Sequence, residues 1–186
     1  MKYFFMIFKK ISDSETTITE LMVPAYANFG GKVHGGVLLS LMDKVAYVCA
    51  TKHSQSYCVT VSVEGVEFLY PVEVGELLTI KASINYVGNT TMIIGMRIES
   101  QNPRTGANHH TNSCYFTMLA KNSEGENCSV PGLILENEIQ LRRFCEGKYL
   151  KKNSMEKRNV LKSDFKDHAN EVLIEQCKDD KCEIHF

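Results

Sequence analysis

Three features near the start of the chain place polar groups where chemistry could occur. Gly35 and Gly36 begin an apolar segment without a Ser, Thr or Asp cap, which leaves backbone N–H groups free to hold an oxyanion. Asp43 is the one carboxylate in that segment, and Asp in a helix interior costs a few tenths of a kcal/mol relative to Ala. Asn28 lies in the preceding loop. Each also has a structural explanation: a tight turn, a solvated edge beside Lys44, and a turn residue.

The element that would position these groups is a long helix, predicted from about residue 35 to residue 53. Apolar residues recur at the i, i+3, i+4, i+7 spacing of one helical face. They occupy so much of the circumference that the helix should be buried on more than one side. The residues that carry this pattern are Leu38, Leu41, Met42, Val45, Val48 and Cys49.

Strands are predicted before and after the helix, and short connections between them imply antiparallel neighbours. In the strand after the helix, the apolar alternation shifts by one position at Gly65, which predicts a β-bulge there. Gly88-Asn89 separates two alternating segments at hairpin distance. The fold class is therefore α+β, a long central helix wrapped by a bent antiparallel sheet. The predicted strands are 17–23, 57–70, 78–86, 92–98 and 110–120.

One such layer leaves the outer face of the sheet and the edges of the helix open, which favours pairing with a second copy. Residues 136–150 have a helical composition, whereas the residues beyond are charged and lack sustained periodicity. The predicted organisation is an N-terminal extension over 1–16, one domain over 17–150 and a polar tail over 151–186.

Composition excludes several classes of protein. The formal net charge of −1 over 186 residues provides no general attraction to nucleic acid or to an anionic membrane. No segment approaches the roughly 20 apolar residues of a membrane span. The apolar run near the N-terminus is short for a signal peptide. The seven cysteines are scattered, without a Cys-x-x-Cys pair, which predicts reduced thiols and a cytoplasmic setting.

The other motifs are weaker. Gly31-Lys32 is not a phosphate-binding loop, because no Ser or Thr follows the lysine and the glycine spacing is wrong. Cys177, Cys182 and His185 lack a fourth zinc ligand, so no metal site is predicted. The basic pairs of the tail fit a solvated surface better than a nucleic-acid site.

Several blocks, in order, resemble the hotdog-fold acyl-CoA thioesterases, the family of bacterial and cytosolic acyl-CoA hydrolases. The resemblance extends over roughly residues 17–150 and agrees with the order of strands and helix above. Glu64 stands where the family often has Asp, and His34 replaces a more frequent Phe. The matching blocks are Asn28–Asp43, Val61–Glu76, Asn102–Gly106 and Thr111–Thr117.

The resemblance implies hydrolysis of acyl-CoA thioesters to free fatty acid and CoA. Asp43 would act as general base or nucleophile, and Asn28 would reach the site across a dimer interface. His34, Gly35 and Gly36 would form the oxyanion and substrate-binding region. A thioester is reactive enough that a base and oxyanion donors suffice. No cofactor is therefore expected, CoA being part of the substrate. The expected assembly is a homodimer, further assembled as a trimer of dimers.

Three points stay open from the sequence. The turn formed by Gly88, Asn89, Thr90 and Thr91 is a candidate nest for the CoA phosphates, but it equally fits a plain hairpin. A non-catalytic acyl-CoA binding or sensing module on the same fold is the alternative function. A dehydratase that uses His34 as its base is a third interpretation.

Overall fold

The computed structural model describes residues 7–163 and residues 170, 174, 175, 181 and 182. It forms two compact units, Met1–Gly147 and Lys148–Phe186. An ion pair between Lys152 and Glu156 lies within the second unit. The strands are β1 (Phe8–Lys10), β2 (Thr16–Leu21), β3 (Tyr57–Glu64), β4 (Leu77–Val87), β5 (Thr91–Gln101), β6 (Asn108–Lys121) and β7 (Gly132–Ile134), and the α-helices are α1 (Gly35–Ser54) and α2 (Glu138–Ser163).

Five antiparallel strands form the main sheet in the order β2-β4-β5-β6-β3. The α+β class and the bent sheet around one long helix are confirmed. The prediction that all strands after the helix follow one another through short turns is wrong for β3, which pairs with β6 at one edge of the sheet. The connection over 65–76 is long enough to carry the chain to β4, near the other edge.

The predicted bulge at Gly65 is also wrong. β3 ends at Glu64, and Gly65 has φ 66°, a left-handed conformation that turns the chain out of the sheet. The register shift lies earlier, between Thr60 and Ser62, so Val61 is the extra residue. The shifted apolar pattern that follows Gly65 belongs to the connection and not to a strand.

Helix α1 buries one face against the concave face of the sheet. Its opposite face is open within the chain, although it carries apolar residues among the polar ones. Val48, expected in the core, is 41% exposed. Burial on more than one side is therefore not reached in a single chain. The buried residues of α1 are Leu38, Leu41, Met42, Val45, Ala46, Cys49, Ala50 and His53.

Both ends of the predicted domain contain more structure than the sequence indicates. Within the predicted N-terminal extension, β1 pairs in parallel with β7, and Lys9 Nζ donates to His53 O at 2.7 Å. The helix predicted over 136–150 continues as α2 to Ser163. The proposed domain boundaries themselves stay a prediction.

Within the described part of the chain, no helix combines the length and apolar character needed for a bilayer crossing.

Candidate active site

Asp43 lies on the open face of α1, where its side chain contacts β3. Thr60 Oγ1 donates a hydrogen bond of 2.5 Å to Asp43 Oδ1. This bond fixes the carboxylate group, and Asp43 Oδ2 makes no hydrogen bond to a residue that the structure describes. The sequence alone does not predict Thr60 as a site residue. Its contact with Asp43 depends on how α1 crosses β3 beside the bulge at Val61. Thr60 is thus a site residue that only the structure reveals.

Asp43 stands between two open grooves with mostly apolar walls. The first, of about 570 Å³, runs towards the C-terminal half of α1, and the second, of about 730 Å³, runs towards its start. Both volumes fall in the range of small-molecule sites. Besides Asp43, the first groove is lined by Lys44, Tyr47, Val48, Tyr57, Cys58, Val59, Thr60 and Met118, and the second by Leu39, Ser40, Val63, Val66, Phe68 and Phe116.

The start of α1 is capped, contrary to the prediction. Gly36 N–H donates to His34 Nδ1 at 2.8 Å, so this N–H is not free for an oxyanion. Among the described residues none accepts from the Gly35 N–H, which leaves it as the candidate donor. With Nδ1 accepting, neutral His34 carries its proton on Nε2. That tautomer has no free basic nitrogen, which argues against His34 as the base of a dehydratase.

The loop before α1 fixes the side chain of Asn28. Asn28 Oδ1 accepts from Gly30 N at 2.8 Å and from Lys32 N at 3.2 Å. These two bonds assign the amide orientation and leave the Nδ2 hydrogens as outward-facing donors. The loop is held by an ion pair between Lys32 and Glu73. Phe29 lies at the tip of this loop and is 114% exposed. Large aromatic side chains are rarely left fully exposed to solvent.

A single chain does not bring all of these groups together. No hydrogen bond joins Asn28 to Asp43 within the described residues. At a rise of 1.5 Å per residue, Gly35 and Asp43 are about 12 Å apart along α1, too far for both to contact one carbonyl group. The candidate groups therefore fall into two sets, one around Asp43 and Thr60 and one at the loop and helix start.

The predicted nest for the CoA phosphates lies in the β4–β5 turn and lines neither groove. Gly88 N–H donates to Thr91 O at 2.7 Å, which closes the hairpin. Asn89 O accepts from Val130 N at 2.9 Å, and its side chain accepts from Ser129. Both the backbone carbonyl and the side-chain oxygen of Asn89 are therefore occupied by hydrogen bonds from the segment before β7. Binding of phosphate by Gly88, Asn89, Thr90 and Thr91 stays a prediction.

The cysteines of the core are poor nucleophiles. Burial raises the pKa of the Cys49 thiol, and of the Cys114 thiol, to about 12. Five of the described cysteines are free thiols, namely Cys49, Cys58, Cys114, Cys128 and Cys145. Within the described ranges, no three His, Cys, Asp or Glu side chains gather as a metal centre would require. The weak zinc motif of Cys177, Cys182 and His185 lies mainly outside these ranges.

Comparison with known proteins places this geometry in a family. A sequence model of the thioesterase superfamily matches residues 30–107. Protein VdlD of Helicobacter pylori is 49% identical over 77% of this chain and 80% of its own length. The cytosolic acyl coenzyme A thioester hydrolase of Rattus norvegicus is 31% identical over 74% of this chain, which corresponds to 37% of the rat protein.

Solved structures agree with the sequence relatives. A crystal structure of an apo-hexameric acyl-CoA thioesterase superimposes with a TM-score of 0.78 at 30% identity, covering 83% of this chain and 99% of that one. The acyl-CoA hydrolase of Bacillus cereus gives a TM-score of 0.72 at 26% identity, covering 83% and 98%. The fold, the helix and sheet that carry Asp43, and these relatives together show that the chain belongs to the hotdog-fold acyl-CoA thioesterases.

Proposed function

We propose that this chain hydrolyses acyl-CoA thioesters to a carboxylic acid and CoA at a site shared between two copies, with Asp43 as the general base. The observation that carries the proposal is the Thr60–Asp43 hydrogen bond between two mainly apolar grooves. One oxygen of Asp43 is held by Thr60 and the other is available to water. The grooves provide apolar surface of the kind that an acyl chain requires.

The second copy is supported by the surface around Asp43. Monomeric proteins rarely expose a large contiguous apolar patch, and β3 is an edge strand with one side unpaired. The patch, which we name the Asp43 face, comprises the exposed apolar residues that line the two grooves beside Asp43, namely Leu39, Tyr47, Val48, Tyr57, Val63 and Phe68. A partner that covers this face would exclude water from the grooves and bring its own loop to Asp43.

The mechanism follows from the two sets of groups. Asp43 Oδ2 removes a proton from water, and the resulting hydroxide attacks the thioester carbonyl carbon. The Gly35 N–H of the partner subunit donates to the oxyanion, an interaction typically worth about 10²–10³-fold in rate. The Nδ2 group of Asn28 of the partner subunit holds the carbonyl or the water. The tetrahedral intermediate then expels the CoA thiolate, which takes up the proton.

A higher assembly is supported by two similar structures, the hexameric acyl-CoA thioesterase already compared and a hexameric thioesterase of Yersinia pestis. We therefore propose homodimers that assemble as a trimer of dimers. The free thiols of Cys49, Cys58, Cys114, Cys128 and Cys145 support a reducing, cytoplasmic setting.

The proposal is tested by thiol release from a panel of acyl-CoA substrates. Asp43→Asn should lower the rate at least about tenfold, because a base contributes about 10²–10⁴-fold. Asn28→Ala should also lower it at least about tenfold, because it removes the amide that holds the carbonyl or the water. Glu124→Gln, which changes an exposed carboxylate in a distant turn, is the matched control. Circular dichroism and the assembly mass should not change. Acyl-CoA binding without thiol release by the native protein would show a binding module instead, and full activity of Asp43→Asn would exclude Asp43 as the base.

A further inference from the structure

The loop before α1, residues 26–34, is a short hairpin whose backbone is held in one shape. Backbone contacts across it join Tyr26 with His34, Ala27 with Val33 and Asn28 with Lys32. Gly31 closes the tip with φ 77°, a conformation that glycine adopts without strain. Val33 N–H donates to Val72 O at 2.9 Å, which ties the hairpin to the connection over 65–76. The position of its tip is therefore fixed relative to the sheet.

Phe29 lies at this tip and is fully exposed in the single chain. The side chain of Asn28, the residue before it, is turned into the hairpin by its bonds to Gly30 N and Lys32 N. Burying an aromatic side chain removes about 150–250 Å² of surface from water, which is a large stabilisation to leave unused. Aromatic residues are enriched at interfaces between chains. A fixed loop with one bare ring is therefore a candidate anchor for a second copy.

The first groove beside Asp43 has an aromatic end that suits this ring. Tyr47 lies one helical turn beyond Asp43, and Tyr57 lies three residues before Thr60 on β3. Their ring centroids are 6.2 Å apart, with the planes at 61°. Both rings are exposed in the single chain. They offer an aromatic surface at the end of the groove away from Asp43, where a further ring could pack edge to face.

Two-fold symmetry brings the hairpin to this groove. Two copies that pair along the edge strand β3, about an axis perpendicular to the sheet, have antiparallel α1 helices. The mechanism places Gly35 of the partner subunit at Asp43, and the partner helix runs from there towards the start of α1. The chain before Gly35 of the partner subunit then lies on the other side of Asp43. That side is the C-terminal half of α1, which contains the first groove.

We propose that Phe29 of the partner subunit inserts into the first groove against Tyr47 and Tyr57 and forms the end wall of the acyl pocket. This inference rests on the proposed function, because it requires the shared site. The Cα atoms of Asn28 and Phe29 are about 3.8 Å apart, so an Asn28 that reaches the carbonyl brings Phe29 with it.

The end wall limits the length of the acyl chain. From Thr60 to Tyr57 the groove extends about 10 Å along β3. With carbon–carbon bonds of about 1.5 Å, that distance holds roughly eight carbons of an extended chain. The substrates are therefore short and medium acyl-CoA thioesters, and the ring of Phe29 excludes longer chains.

Insertion is tested by fluorescence, because the chain contains no tryptophan. Phe29→Trp places a single probe at the hairpin tip. We expect emission at shorter wavelength and weaker acrylamide quenching than for Tyr149→Trp, the matched control at an exposed aromatic position on α2. Emission and quenching equal to those of Tyr149→Trp would overturn the proposal, because the hairpin tip would then remain in solvent.

The end wall is tested by kcat/KM across acyl-CoA substrates of increasing length. In the native protein kcat/KM should rise about fourfold for each buried methylene and fall once the chain meets the ring. Phe29→Ala should move the maximum to longer chains, and Phe29→Leu should move it less. Combining Phe29→Ala with Tyr57→Ala should be non-additive, since both remove one contact. Combining it with Tyr149→Ala should be additive within about twofold.

An unchanged maximum in Phe29→Ala would overturn the proposal. A shielded Phe29→Trp probe whose partner variant Phe29→Ala is additive with Tyr57→Ala would overturn it too, because Phe29 would then pack in another interface. If Asp43→Asn abolishes thiol release while Phe29→Ala leaves the maximum in place, the proposed function stands and the end wall alone fails. If the native protein releases no thiol, the proposed function fails, and the fluorescence comparison still decides whether Phe29 inserts.

Discussion

Replacing Thr60 with Val removes the hydroxyl that donates to Asp43 and keeps the shape of the side chain. A hydrogen bond to a charged group is worth about 1.5–3 kcal/mol, and the exposure of this pair in the single chain reduces the expected loss to about 1–2 kcal/mol. If the bond holds Asp43 in position for proton removal, that loss lowers kcat by about 5–30-fold. KM should change little, because Thr60 acts through Asp43.

The assay is steady-state thiol release with one acyl-CoA substrate. Thr60→Ser restores a hydroxyl and should recover most of the activity. Thr79→Val is the matched control, since it removes a hydroxyl from an exposed Thr19–Thr79 pair at the opposite edge of the sheet. The reasoning is refuted if Thr60→Val turns over at the native rate, or if Thr79→Val loses as much activity as Thr60→Val.

Three further predictions concern stability and reactivity. His34→Ala should lower the free energy of unfolding by about 0.5–2 kcal/mol in a urea titration, and His34→Asn should restore it, because Asn also caps helices. Burial lowers the pKa of the His53 imidazole, so the unfolded chain takes up the proton first. The stability present above about pH 6.5 is then lost as the pH falls towards the folded-state pKa, and Tm should decline more steeply than in His53→Gln. Iodoacetamide should label exposed Cys145 in the native protein, and Cys49 and Cys114 only after denaturation, as mass spectrometry would show.

The sequence predicted the elements well where a pattern is local. The 3.6-residue period marked α1, and the alternation of β4, β5 and β6 marked three neighbouring strands. It did not predict that β3 pairs with β6, because pairing depends on where the connection over 65–76 leads. The bulge at Val61 was placed at Gly65 because a shift in apolar pattern cannot distinguish a bulge from the end of a strand.

The candidate site shows the same division. Asp43 and Asn28 were predicted from the resemblance of one block to a family, and their residue types alone left structural explanations open. Thr60 and the capping role of His34 required coordinates, since each depends on a contact between particular side-chain and backbone atoms. The apolar residues on the open face of α1 were expected in a core. Their exposure in the single chain is what a face covered by a second copy would show.

Co-expression of Asn28→Ala and Asp43→Asn chains tests the shared site most directly. Each variant alone should be nearly inactive. Random pairing makes about half of the dimers mixed, and each mixed dimer has one complete site, so the co-expressed protein should recover about a quarter of the native thiol-release activity. Recovery to that level requires Asn28 and Asp43 to act from different chains. Activity no higher than that of the single variants would contradict a site built across the interface.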